Sequence, residues 1–424
     1  MTQEPLYLGA LPPELIDKLF FELDTIRDLA NFVVTARFVY HRFGARRRII
    51  LFRVLKNELG PAMPDARFLF FFPYSDPMDE VSYYDWIYAM GGVYRDMLAG
   101  GKKHDVQGDH GPPTLKELTG LCRILHLINF ITDTYVTAQL TSFDQLGGRG
   151  TPATAALSRL ERQRVMRAFY RLQIVSNAWA STRRSAYWIE LDSNAFSNTS
   201  TEHGQRLGLF AAFDPWDLQH IDHADYFIKC LCRALVHRTA EATAGGGADI
   251  SPCQFGNLYT HLDHLVRYLR AHQGIAKAAI GDLQSSKPFP HDEGLEREFI
   301  NRYELLPLSY CWQLDRSENF PNPTLERQEQ DGLLMDNVGD GSGQVPFGWS
   351  DALQRRYLHW YGAGLSAIPW LPPWESSEKS LAHNDVIDLW RYFGFALWDR
   401  KRVEALKELR RFEALQTGFV LKRS

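Results

Sequence analysis

The chain contains 424 residues, of which 45% are apolar and 23% are charged, and its formal net charge is −4. This composition is typical of a soluble globular protein with one large core or two to three ordinary domains. The mildly negative charge argues against bulk nucleic-acid packaging but leaves room for a local basic face.

Cysteine usage and the apolar stretches indicate the compartment. Five scattered cysteines predict neither a disulfide framework nor a four-thiolate zinc site, and they fit a reducing cytosol. The start of the chain lacks the basic and then apolar pattern of a signal peptide. The longest apolar stretch, RFLFFFPY, is too short to cross a bilayer. We therefore expect a cytoplasmic protein that does not contact a membrane.

Helical patterns follow one another along the first part of the chain. LPPELIDKLFFELD places Leu15, Leu19 and Leu23 at helical spacing, and DLANFVVTARFVYHRF and ARRRIILFRVLKNELGP follow with almost no linker. Gly60 and Pro61 predict a helix end. Longer, more buried helices are predicted in MDEVSYYDWIYAMGGVYRDML, in PPTLKELTGLCRILHLINFITDTYVTAQL and in TPATAALSRLERQRVMRAFYRLQIVSNAWA.

Two later helices have clear start signals. In FDPWDLQHIDHADYF, Asp214 is the predicted cap, Pro215 the first turn and Asp217 the capping-box acid. The stretch SPCQFGNLYTHLDHLVRYLRAHQG repeats this arrangement and is predicted to end at Gly274.

The whole pattern predicts an all-α fold, a single large multi-helix body. Residues 1–60 form an N-terminal helical segment that we expect to pack on the body, and residues 61–315 form the main body. Residues 316–344 are acidic and aperiodic, so they predict a surface loop. Residues 345–424 are rich in aromatic residues and are expected to complete the body with short helices.

Two histidine pairs lie at helical spacing, His220 with His223 and His261 with His264. Residues three apart share a helix face, so the two pairs could supply four metal ligands. Neither pair has the zincin spacing, and polar groups on packed helices are the favoured interpretation, so no metal is predicted. His220, His223 and Asp217 remain candidates for orienting a substrate.

An acidic cluster follows in the stretch HDEGLE. Asp292, Glu293 and Glu296 would crowd one patch of a helix, where they would suit a guanidinium, an amine or a metal. The alternative is an ordinary solvated helix start, where acids favour the helix dipole.

Arginine-rich stretches could follow a phosphate backbone. Arg164, Arg167 and Arg171 lie at i, i+3 and i+7 of one predicted helix, and Arg46, Arg47 and Arg48 form a second cluster that continues to Arg53 and Lys56. A third cluster comprises Lys401, Lys407, Arg410 and Arg411. Each cluster taken alone is more often a solvated face.

Common cofactor motifs are missing from the sequence. It contains no Walker loop, strand-linked Gly-x-Gly-x-x-Gly, Gly-x-Ser-x-Gly elbow or kinase signature. No cofactor is therefore predicted.

The N-terminal segment resembles an F-box. Leu11-Pro12 with Glu14-Leu15 matches the usual Leu-Pro-x-Glu-Leu entry, and Asp28-Leu29 begins the second helix. Tyr40 replaces the common Trp, and the likeness covers about forty residues. It implies a substrate adaptor that binds a Skp-type linker of a cullin ubiquitin ligase. No receptor repeat follows, and the tight continuation into the next helix predicts that the apolar faces of these helices pack on the body.

The wider chain resembles a large group of fungal proteins that share Asn57-Glu58-Leu59-Gly60-Pro61, Pro215-Trp216-Asp217 and Phe395-Ala396-Leu397-Trp398-Asp399-Arg400. The organisation of the chain is also similar to that of the arginine-containing cyclodipeptide synthases. This second likeness implies an enzyme of specialised metabolism that condenses an arginyl group with a second aminoacyl group, both delivered on charged tRNA, into a diketopiperazine.

The second resemblance also implies roles for particular residues. The family's Asp-Asp-x-x-Glu motif is matched by Asp292-Glu293-Gly294-Leu295-Glu296, with Glu in place of the second Asp. These carboxylates would bind the guanidinium or deprotonate the amine. The two arginine clusters at 46–48 and 164–171 would hold tRNA phosphates.

Overall fold

A computed structural model describes residues 11–72, 80–98, 113–178, 209–213, 215–243, 261–284, 346–348 and 394–409. Helices make up 87% of the interpretable part, and no strand occurs within it. The all-α prediction is confirmed. None of the described helices is long and apolar enough to cross a membrane.

Eleven α-helices are described in these ranges. They are α1 (Pro13–Phe21), α2 (Ile26–Val33), α3 (Arg37–Leu59), α4 (Met63–Phe71), α5 (Glu80–Leu98), α6 (Leu115–Phe143), α7 (Arg159–Ala178), α8 (Pro215–Thr243), α9 (Leu262–Ala271), α10 (Gln273–Gln284) and α11 (Arg400–Lys407). Short 3₁₀ segments occur at Gly60–Ala62, Pro152–Thr154, Leu209–Ala212 and Phe395–Leu397, and a π-turn at Asp144–Gly148 extends α6.

The long helices α6, α7 and α8 form the centre of the body. Helix α4 packs against α6 and α7, and α10 packs against α8 and α6. Apolar side chains that alternate at helical spacing, such as Ile131, Phe169 and Leu231, are buried between these helices. The centre is therefore an ordinary apolar helix interface, into which a few polar groups are built.

Helix boundaries agree with the predicted start and stop signals in several places. Pro215 begins α8, as expected, and Gly60 ends α3 with a positive φ of 51°. The Gln163 side chain packs directly on Gly60, so a Cβ there would collide with it.

One predicted boundary is wrong. Gly274 does not end a helix, because it lies inside α10. The break falls earlier, at His272, whose φ of −115° and ψ of 53° leave the helical region. His272 therefore separates α9 from α10. A single glycine in the sequence was not enough to locate this break.

The N-terminal helices pack on each other and on α3. Phe20 is fully buried, with its ring 5.0 Å from that of Phe32 in α2 and 6.2 Å from that of Phe43 in α3. Leu15 and Leu19 are 42% and 40% exposed. Phe20 therefore packs within the N-terminal segment, while Leu15 and Leu19 do not pack inward, and the packing of these apolar faces on the body stays a prediction.

Helix α3 joins this N-terminal unit to the body. It is interrupted at Arg46, whose φ of −124° and ψ of 20° are not helical. Beyond the interruption, Asn57 donates to the carbonyls of Phe21 and Leu23, and Glu58 accepts from the Asn129 amide of α6. The same helix thus carries α1 and α2 and inserts into the central bundle.

The segment 394–409 is attached to the body through Arg402. The Arg402 side chain is 4% exposed, pairs with Glu161 of α7 at 2.8 Å and donates to the carbonyls of Ala153 and Ala155. The amide of Asp399 also donates to Glu161. Burial alone would raise the pKa of Glu161. The pairing with Arg402 and the backbone hydrogen bonds have the opposite and larger effect, so the pKa lies below its ordinary value. This part of the C-terminal segment therefore packs on the body, while the proposed boundaries at 60, 315 and 344 stay predictions.

Candidate functional site

A buried network of charged groups lies where α4, α7 and α8 meet. Arg171 is 1% exposed, and its guanidinium pairs with Asp65 at 2.8 Å and with Asp217 at 2.5 Å. Arg167 pairs with Asp65 at 3.1 Å, and the hydroxyl of Tyr94 donates to the same carboxylate. Two carboxylates thus surround one buried arginine, which offsets the cost of removing its charge from water.

The pKa shifts agree with an internally satisfied network. Burial alone would raise the pKa of Asp217. The positive charges of Arg171 and Arg167 have the opposite and larger effect, so the pKa lies below its ordinary value. Burial is also the main reason why the pKa of Tyr94 lies well above its ordinary range. The carboxylate is charged and the phenol is neutral at physiological pH, so neither is set up to exchange a proton there.

His220 belongs to the same network. Its Nε2 lies 2.8 Å from the carbonyl oxygen of Ala396, and its Nδ1 lies 3.8 Å from Asp217. Burial lowers the pKa of His220 to about 3, so the ring is neutral and Nε2 is the donor to the carbonyl. His220 therefore connects α8 to the segment at Ala396, and Asp217 connects α8 to Arg171 of α7.

The α7 arginines predicted to bind phosphate also face carboxylates. Arg164 pairs with Asp399 at 2.8 Å, and Arg171 is buried within the network. With Arg167 bound to Asp65, no open basic face forms along these positions. We therefore correct the assignment of Arg171 to tRNA binding, because a buried and doubly paired guanidinium cannot reach a phosphate backbone.

A small cavity lies between α6, α8 and α10. Its lining includes Tyr135, Gln139, Ser142, His223 and Leu283. The volume of the cavity is about 20 Å³, which is room for about one water molecule. The hydroxyl of Tyr135 is buried without a hydrogen-bond partner, and burial raises the pKa of this phenol well above its ordinary value. His223, one of the three predicted substrate-binding residues, therefore lines this cavity.

The described cysteines do not have the character of nucleophiles. Burial raises the pKa of Cys232 to about 12 and that of Cys122 to about 11. Both thiols are therefore protonated at neutral pH, whereas nucleophilic catalysis needs the thiolate.

The surface of the N-terminal unit combines apolar and basic side chains. Leu15, Leu19, Val34 and Tyr40 are between 40% and 80% exposed. On α3, Arg47 and Arg48 are exposed, whereas Arg46 pairs with the buried carboxylate of Asp17. Two of the three arginines predicted in this cluster are therefore accessible to a partner.

The acidic cluster predicted to be catalytic, Asp292, Glu293 and Glu296, lies outside the described residues. His261 and His264 have ring centroids 5.2 Å apart at the start of α9. Among the described residues, no group of three or more His, Cys, Asp or Glu side chains is placed to hold a metal ion.

Two residues central to this geometry were not singled out from the sequence. Asp65 follows Met63-Pro64 in the first turn of α4, which is a normal position for an acid at a helix start. Tyr135 lies within a continuous helical pattern of apolar residues. Neither position gives a local signal, because the partners are distant in sequence. Asp65 pairs with Arg171, about a hundred residues later, and the ring of Tyr135 stacks on that of Trp398 near the end of the chain.

No protein-family model, curated protein or solved structure matches the chain.

The neutral state of His220 predicts a pH-dependent stability. Its pKa is about 3 in the folded chain and 6.5 as the reference value, so the unfolded chain binds more protons between these limits. The free energy of unfolding should fall as the pH drops through this window, by up to about 1.4 kcal/mol per pH unit from this group. In His220→Gln, which retains a donor for Ala396, urea unfolding should show a shallower pH slope.

The control is His237→Gln, because His237 is exposed on the same helix. It should keep the slope of the unaltered chain. Equal slopes in the unaltered chain and His220→Gln would contradict the buried, neutral assignment.

Proposed function

We propose that the chain is a tRNA-dependent cyclodipeptide synthase, which condenses an arginyl group with a second aminoacyl group from charged tRNA. The observation that carries the proposal is the meeting of the three distant segments that bear the resemblance to the fungal group, since the likeness to the synthases lies in the organisation of the whole chain. Residues 57–61, 215–217 and 395–400 all contact α6, α7 or α8.

These contacts are specific ones. Glu58 accepts from Asn129, Asp217 pairs with Arg171, and Asp399 pairs with Arg164. The resemblance thus falls on residues that connect the described helices to one another. This favours a relation extending through the fold over one limited to the forty residues of the F-box likeness, although fold alone does not decide activity.

The reaction needs little from the protein beyond positioning. The amine of one aminoacyl-tRNA attacks the ester carbonyl of the other, forming an amide and releasing one tRNA. The amine of the resulting dipeptidyl-tRNA then attacks its own ester, forming the second amide and releasing the second tRNA. Each amine loses one proton to a base, and the hydroxyl of the tRNA that leaves takes up one proton, so the base is restored. Because the esters are already activated, no ATP is consumed.

We assign the recognition of the arginyl group, or deprotonation of the amine, to Asp292, Glu293 and Glu296. Carboxylates match the planar donors of a guanidinium. The interior carboxylates Asp65 and Asp217 do not serve this purpose, since Arg171 of the chain itself occupies them.

Expression in a bacterial host tests the activity. Cells fed with isotopically labelled arginine should release a diketopiperazine that carries the label, detected by mass spectrometry of the medium. The double variant Asp292→Ala, Glu296→Ala should lose at least about 100-fold of the product, as expected when an acid–base group is removed.

The matched control is Asp331→Ala, Asp336→Ala, which removes two carboxylates from the acidic stretch 316–344 and should retain the product. Absence of labelled product from well-folded chain would contradict the synthase. Equal product from the Asp292, Glu296 double variant would contradict only the assigned residues.

A second candidate function is that of an F-box-type adaptor, and the exposed leucines of α1 favour it. Ile16 and Phe20 face inward, while Leu15 and Leu19 lie one turn apart on the outer face. Exposed apolar residues at this spacing are typical of a helix that docks onto another protein.

A binding assay with a purified Skp-type linker distinguishes this candidate. If the adaptor function is correct, the chain should capture the linker, and Leu15→Asp, Leu19→Asp should weaken capture at least about 10-fold. Lys18→Ala, an exposed change on the same helix, should not. No capture by the unaltered chain would remove the adaptor function from consideration.

A further inference from the structure

Four exposed cations lie close together on α3, beyond the interruption at Arg46. Arg47, Arg48, Arg53 and Lys56 are exposed, and none of them forms an ion pair with another described residue. The stretch 47–57 contains no acidic residue at all. We call these four side chains the α3 basic face.

The arginines of α7 differ from this group. Arg162, Arg164 and Arg167 each contact an aspartate, at 2.6, 2.8 and 3.1 Å respectively. Even Arg46, the neighbour of the α3 basic face, is paired with Asp17. The chain thus pairs many of its arginines internally but leaves this group unpaired in the part of the chain described.

The spacing of the cations suits an extended anion. Arg48 and Arg53 are separated by about 7.5 Å along the helix axis, and Arg53 and Lys56 by about 4.5 Å. Arg47 lies beside α6, where its charge opposes the burial that raises the pKa of Cys122. The positive charge therefore extends over about two and a half turns of α3, with Arg48, Arg53 and Lys56 within about 140° of one another around the helix and Arg47 on the side towards α6.

The composition of the face favours a phosphate backbone as its partner. Arginine donates in a planar fork that matches phosphate oxygens, and three of the four cations are arginines. Ile49, which is 48% exposed, lies between Arg48 and Arg53 along the helix and could contact a ribose or base. A fixed helix also positions these groups without the ordering cost of a flexible basic tail.

We propose that the α3 basic face is where the chain binds the phosphate backbone of tRNA. This inference rests on the proposed function for the identity of the RNA, but the surface itself is argued from α3 alone. It replaces the α7 arginines, which are paired and partly buried, as the RNA contact.

The test uses the full chain and unacylated bulk tRNA in a fluorescence anisotropy titration. The variant Arg48→Glu, Arg53→Glu should weaken binding at least about 10-fold. It should also reduce the slope of log K against log salt by about one for each phosphate that the variant no longer binds. Far-ultraviolet circular dichroism should be unchanged, because both side chains are exposed.

The matched control is Arg149→Glu, also exposed, which should retain the affinity and the salt slope. Arg149 follows the C-terminal end of α6, whereas α3 lies near Cys122, roughly 30 Å earlier along that helix. The single variants Arg48→Glu and Arg53→Glu are measured as well, because each changes the net charge by the same amount as Arg149→Glu.

The outcomes separate this inference from the proposed function. Equal tRNA binding by the unaltered chain and the double variant overturns the α3 assignment, and so does an unaltered chain that does not bind tRNA. Weak binding of tRNA together with tight, face-dependent binding of anionic lipid vesicles or of an acidic protein also overturns it. If the α3 basic face binds tRNA but no diketopiperazine forms, the binding surface is supported and the synthase activity is contradicted. If Arg48→Glu, Arg53→Glu forms as much diketopiperazine as the unaltered chain, the activity is supported and the binding surface is contradicted.

Discussion

The pairing of Arg171 with Asp65 and Asp217 is the interaction on which the arrangement of the central helices depends. The three residues come from α7, α4 and α8, which are far apart in sequence. A buried arginine must be matched by carboxylates, so these helices can pack in only a narrow range of registers. His220 extends the same constraint to the segment that contains Ala396.

This pairing distinguishes the charged groups that hold the helices together from those that are exposed to a partner. The arginines of α7 are occupied by aspartates, and the cavity beside His223 has room for little more than one water molecule. Within the described residues, the α7 arginines are thus paired inside the body, and the exposed apolar and basic groups offered to a partner lie on α1 and α3. The N-terminal unit can present two different faces because Phe20 is buried against α2 and α3, leaving Leu15 and Leu19 outside.

Local signals were enough to predict the helices, since proline starts such as Pro215 and stops such as Gly60 act within one turn. They could not show which charged faces would be covered. Arg164, Arg167 and Arg171 share a helical stripe that looks the same in sequence whether it faces water or Asp65. The carboxylates that bind them are contributed by α4, by α8 and by the segment at Asp399, and only the folded chain brings these together.

A double-mutant cycle measures the central interaction most directly. We expect Arg171→Met to lower the free energy of urea unfolding by about 3–5 kcal/mol, because it removes the guanidinium that the buried carboxylates Asp65 and Asp217 share. We expect Asp217→Asn to lower it by a smaller amount, because Arg171 then keeps Asp65. The double variant should lose about 2–3 kcal/mol less than the sum, since the two residues contact each other. Losses that add within about 0.5 kcal/mol would contradict the claim that this pair holds α7 and α8 together.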